Sequence, residues 1–175
     1  MLIERQNQTR QPSGLSQRQS AGFTLVELMV VVAVVGVLAI VAMPAMTDMI
    51  NNGRATAQTE ELVSSLQLAR AEAVRRNARV TICAGSGGVC NGSASWAQLT
   101  VFGLDNTATP PVSDVIRDNA ASGNVQVTGP TAGIVFRPSG RIETSQQLAV
   151  TMSDQKRYIC VLISGVVSVY KSACP

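Results

Sequence analysis

From Leu28 to Met43 the chain is an unbroken apolar run with one glycine, Gly36, and between Phe23 and Thr47 the only charged residue is Glu27. At about 1.5 Å per helical residue, about 20 such residues cross the hydrocarbon core of a bilayer. The run therefore predicts a membrane-length helix close to the N-terminus. A carboxylate deep in such a segment costs ~2.5 to 3.5 kcal/mol on insertion scales, so Glu27 requires a reason to be there.

Residues 1 to 21 are rich in Gln, Arg and Ser, include Pro12 and Gly14, and offer no apolar face to bury. They read as a disordered basic leader. Because the basic residues precede the apolar run, the leader should stay in the cytoplasm and everything after Thr47 should lie outside. Arg5, Arg10 and Arg18 against Glu4 carry much of the formal charge, and removal of residues 1 to 22 lowers it from +3 to +1. A nearly neutral product gives no overall argument for nucleic-acid binding.

Two ordinary readings of the apolar run fail on particular residues. A secretory signal is cut after its apolar region at small residues, and Ala42-Met43-Pro44-Ala45 is a poor site of that kind. A plain transmembrane anchor explains the length but leaves Glu27 without a purpose.

The string Ala21-Gly22-Phe23-Thr24-Leu25-Val26-Glu27-Leu28 accounts for all of it. It resembles the processing signature of type IV pilins and type II secretion pseudopilins. The resemblance implies that a prepilin peptidase cuts after Gly22 and that the new N-terminal Phe23 is methylated. It implies further that Glu27, fifth in the mature chain, assists assembly. The amine of Phe23 is a cation in apolar surroundings, and a carboxylate from an adjoining subunit would turn two unfavourable charges into one pair. Pro44 matches a proline that major pilins often carry; it removes a backbone donor and should kink or loosen the helix.

Beyond Pro44 the pattern becomes amphipathic. Ala55, Leu62, Leu66, Ala69 and Ala73 recur at helical spacing, with Glu60, Glu61, Arg70, Glu72, Arg75 and Arg76 on other faces. One helix of about 50 residues is the simplest reading. Glu72 and Arg76, four apart, can pair along its surface. The basic stretch from Arg70 to Arg79 reads as a solvated helix end rather than a nucleic-acid site.

After Asn77 the chain turns to short β-type runs: Arg79 to Ala84, Trp96 to Phe102, Val112 to Arg117, Asn124 to Thr128, Gly133 to Arg137, Gln147 to Ser153, Lys156 to Ile163 and Val166 to Lys171. A long helix followed by many strands predicts an α+β pilin fold, with the helix packed on an antiparallel sheet. The expected organisation is a leader over 1–22, a transmembrane and filament-core helix over 23–47, its amphipathic continuation over 48–78 and a β-rich domain over 79–175.

Four cysteines permit three pairings, or none if they remain reduced. Export to an oxidising compartment favours two local loops, Cys83 with Cys90 and Cys160 with Cys174. The chain has no histidine, which removes the commonest general base and metal ligand. Asp114, Asp118 and Glu143 show no partner spacing of a catalytic kind, so no enzyme, metal or cofactor is expected. Asn91-Gly92-Ser93 fits a glycosylation pattern and is read as a loop.

Gln67-Leu68-Ala69-Arg70-Ala71-Glu72-Ala73-Val74, then Val80-Thr81-Ile82-Cys83, Cys90, Trp96 and Phe136-Arg137-Pro138-Ser139-Gly140, is similar to the GspH/FimT family of minor pilins and pseudopilins. That resemblance implies a low-abundance structural subunit that initiates or caps a type IV pilus or a type II secretion pseudopilus. Its implied partners are a prepilin peptidase, other major and minor pilins and an inner-membrane assembly platform. Its implied location is a single pass of the inner membrane, with the globular domain in the periplasm, and then the filament. Some members bind DNA through a C-terminal G-R-x-R motif, but Gly165-Val166-Val167-Ser168 lacks both arginines. DNA remains the alternative partner, with Lys156, Arg157 and Lys171 as candidate contacts and Arg137 and Arg141 nearby.

Overall fold

The structure, a computed structural model, describes residues 22–105, 109–110, 112–121 and 123–175. The leader proposed for the first 22 residues lies outside these except for Gly22. Backbone contacts divide the chain between Ala42 and Met43, and the two units are described separately.

Helix α1 spans Leu25–Arg76. Thr24 caps its start: the Thr24 Oγ1 accepts the Glu27 backbone N–H at 3.2 Å, satisfying a donor that the first turn leaves open. Taken singly, no helix among the described residues is long and apolar enough to cross a membrane; Leu25–Ile40 and Ala45–Arg76 meet the requirement as a pair. Pro44 falls between these two stretches. In the first unit the apolar side chains are bare, with Phe23 83% exposed and Leu38 63%.

The second unit contains the core. Ala55, Leu62, Leu66, Ala69 and Ala73 of α1 are completely buried, so the i, i+3/i+4 stripe is the face laid on the sheets. The helix ends in a Schellman motif. Asn77 adopts φ 50°, its N–H reaches the Val74 carbonyl, and the Ala78 N–H reaches the Ala73 carbonyl.

Nine strands follow: β1 Val80–Ser86, β2 Val89–Cys90, β3 Gln98–Asp105, β4 Val112–Ala120, β5 Gln126–Thr128, β6 Ile134–Phe136, β7 Gln146–Met152, β8 Gln155–Val161 and β9 Val167–Tyr170. They form two antiparallel sheets in place of the single sheet expected. One runs β2-β1-β3-β4 with β6 also on β1, and the other runs β5-β7-β8-β9. The chain passes to the second sheet at β5, returns to the first at β6 and leaves it for good at the Arg137-Pro138-Ser139-Gly140 turn. There the Gly140 N–H returns to the Arg137 carbonyl and the Arg137 N–H reaches the Arg141 carbonyl. From there the Ile142 N–H bonds the Ile163 carbonyl beside the second sheet.

Trp96, expected inside a strand, instead precedes β3 and fastens the two sheets together. It is fully buried, its N–H donates to the Val127 carbonyl at 2.8 Å, and its indole Nε1 donates to the Pro130 carbonyl at 3.3 Å. Strand β2 was not legible in the sequence because its two residues are held by the Cys83 loop and not by any apolar alternation.

Candidate functional site: the start of the helix and the faces of the domain

Gly22 and Phe23 precede α1 and are exposed, and Glu27 lies in its first turn. The Thr24-x-x-Glu27 spacing is a capping-box pattern, a signal that sequence reasoning overlooked. A carboxylate in the first turn also faces the positive end of the helix dipole. Behind it, the exposed run from Leu25 to Ile40 supplies an apolar surface that no side chain among the described residues covers.

At the other end of α1, charge fastens the helix to the domain. Glu72 bonds both Arg75, at 2.6 Å, and Arg76, at 2.7 Å, and Arg76 reaches Asp114 on β4 at 2.8 Å. Hydrogen bonds from Arg75 first and Arg76 second hold the Glu72 carboxyl down to about 2. Hydrogen bonds to Glu72 and then Asp114 push the Arg76 guanidinium up. The expected Glu72–Arg76 pair is thus the centre of a larger network, and Asp114, which had no partner in the sequence, belongs to it. Arg70, read as part of a solvated helix end, instead donates to the Ser164 carbonyl at 3.2 Å and ties α1 to the β8–β9 turn.

That turn contains Gly165, at φ 77°, where a Cβ would collide with the Gly140 carbonyl and lie 3.0 Å from Arg70 Nε. Gly165, first of the four residues read against that DNA motif in the sequence, is a point of close contact between backbone turns and the helix.

The three candidate DNA contacts do not form one surface. Successive residues of a strand face opposite sides. Arg157 points to α1, where its Nη2 donates to Asn52 Oδ1 at 2.6 Å, so Lys156 lies on the other face. Lys171 is exposed just beyond β9.

Both local disulfides are present, Cys83–Cys90 with Cα atoms 5.6 Å apart and Cys160–Cys174 with 5.8 Å. The second draws the C-terminal tail across the outer face of the β7–β8–β9 sheet. There Gln147 Oε1 accepts the Cys174 N–H at 2.9 Å. No group of three or more His, Cys, Asp or Glu residues suited to a metal occurs among the described residues.

A long N-terminal helix, apolar in its first half and packed on antiparallel sheets in its second, defines the pilin-like class of filament subunits. A family model described as "Type II transport protein GspH" matches residues 58–166, and one described as "Prokaryotic N-terminal methylation motif" matches residues 17–43. The chain belongs to the GspH family. It is a minor pilin or pseudopilin, membrane-anchored and then filament-associated. Two solved structures share its fold. The type IV minor pilin FimU of Pseudomonas aeruginosa has a TM-score of 0.52 and 21% identity, covering 69% of this chain and 96% of its own. The minor pseudopilin EpsH from the type 2 secretion system of Vibrio cholerae has a TM-score of 0.50 and 12% identity, covering 67% and 96%. No curated protein matches the chain.

Proposed function

We propose that the chain is a low-abundance structural subunit, not an enzyme, that initiates or caps assembly of a type IV pilus or type II secretion pseudopilus. A prepilin peptidase cuts after Gly22 and methylates Phe23. The helix then anchors the globular domain on the periplasmic side of the inner membrane until an assembly platform and other pilins take it into the filament. Glu27 neutralises the amine of a neighbouring subunit as the helices stack. Pro44 loosens the helix between its anchoring and packed halves. The observation that carries this reading is the bare apolar helix from Leu25 to Ile40, with its lone carboxylate, joined to a domain whose own core is complete.

Deletion of the gene tests the reading. Loss of filaments, or of secretion, restored by the wild-type chain supports a structural subunit. Filaments and secretion left intact, with only DNA uptake lost, would support the DNA-binding alternative through Lys156, Arg157 and Lys171.

A further inference from the structure

Two arginines meet where β1 begins and β6 ends. Val80 pairs with Phe136 across the antiparallel ladder, so Arg79 and Arg137 come next in that register. Like charges placed opposite each other on a sheet destabilise it. Glu143 relieves this in part. It ion-pairs with Arg137, and Arg137 first, with Arg79 adding its charge, holds the Glu143 carboxyl below the usual carboxylate range. All three line a groove of about 280 Å³.

Around the turn, Arg141 shares a second hollow of about 490 Å³ with Arg137, Glu143 and Ile163. Arg79 and Arg141 are exposed, and neither makes an ion pair among the described residues. One carboxylate, paired with Arg137, therefore stands among three guanidinium groups. Next to them Leu162, Ile163 and Val166 stand 43 to 44% exposed on the β8–β9 turn. The turn is preformed: the Ile142 N–H bonds the Ile163 carbonyl, the Leu162 N–H bonds the Val166 carbonyl, and Arg70 holds Ser164.

We propose that this surface, formed by Arg79, Arg137, Arg141 and the Leu162–Val166 turn, docks an acidic segment of a neighbouring filament subunit that also carries large apolar side chains. Charge complementarity selects the carboxylates, and the three exposed aliphatic side chains select a peptide. A phosphodiester chain would meet the Glu143 carboxylate and leave those side chains in water. This docking site rests on the filament-subunit reading above.

The test places a photoreactive residue at Ile163 in the full-length chain, in cells assembling the filament, with Asp154 at the far end of the β7–β8 hairpin as control. The expected product joins Ile163 to an acidic segment of another subunit with a processed N-terminus. Arg79→Glu with Arg141→Glu should lower its yield at least tenfold, because it sets like charges against each other across the interface. Lysines placed in the acidic segment should restore it. Arg141→Gln alone, which introduces no repulsion, should lower the yield in the same direction while thermal unfolding stays unchanged. Cross-links to nucleic acid, equal yield from Asp154, or unchanged yield in the charge variants would overturn the site while leaving the subunit reading intact. Absence of the wild-type chain from filaments would overturn both.

Discussion

Arg76, in the last turn of α1, donates from Nη1 to Asp114 Oδ2 on β4 across 2.8 Å. Its Nε simultaneously binds Glu72 at 2.7 Å, so one guanidinium joins the helix surface to the edge strand of the first sheet. The helix that would enter a filament is thereby fixed to the domain it carries by charge as well as by the buried stripe from Ala55 to Ala73.

Acid should weaken that fastening. The Glu72 carboxyl is held at about 2 in the folded chain, below its value of about 4.3 when unfolded. Its contribution is complete above about pH 5 and is lost as pH falls toward 2. Allowing for solvent screening, it amounts to about 1 kcal/mol. Urea unfolding of the wild type and Glu72→Gln should differ by that much at pH 7 and converge at pH 2. A gap independent of pH would contradict the assignment.

Asn77 closes the helix at φ 50°, a conformation that side chains beyond Gly and Asn adopt at a cost. Asn77→Gly should hold stability or raise it by up to about 1 kcal/mol, whereas Asn77→Val should lower it by about 1 to 3 kcal/mol. Thermal melting of the two variants checks the pair, and a stabilising valine would refute the cap.

The Cys160–Cys174 bond spans a sequence separation of 14 and ties the tail to β8. In the chain-entropy model a loop of about 15 residues gains ~3 kcal/mol from closure. Replacing both cysteines by alanine should reduce unfolding free energy by about that amount, and peptide mapping of the unreduced protein should recover both local pairs. Free thiols, or a pairing between the two loops, would contradict the structure.

The sequence displayed the parts of this fold that depend on periodicity. The five small and aliphatic residues from Ala55 to Ala73 sit 3 to 7 apart and all reach the core, and most strand positions follow from their β-branched runs. What it hid depends on contacts between distant residues. Arg70 looked solvated because Ser164 lies 94 residues away, and Asp114 looked unpartnered because Arg76 is 38 residues earlier. The division into two sheets depends on where the chain crosses between them, before β5, between β5 and β6 and at the turn from Arg137 to Gly140, and local propensity marks these as turns without saying which sheet follows. Arg157 seemed a free cation until its reach to Asn52 was visible.

The role proposed for Glu27 separates processing from assembly. Glu27→Val should still be cleaved and inserted, since it makes the apolar run more uniform, yet its amount in filaments should fall at least tenfold. Immunoblots of membrane and sheared-filament fractions compare the two steps. Normal incorporation of the valine variant would remove the charge-pairing role.

Mass spectrometry of the chain recovered from purified filaments tests the central claim most directly. The account predicts an N-terminal peptide beginning at N-methylated Phe23, with residues 1 to 22 removed. A filament-borne chain that retains those residues, or complete absence of the chain from filaments, would contradict it.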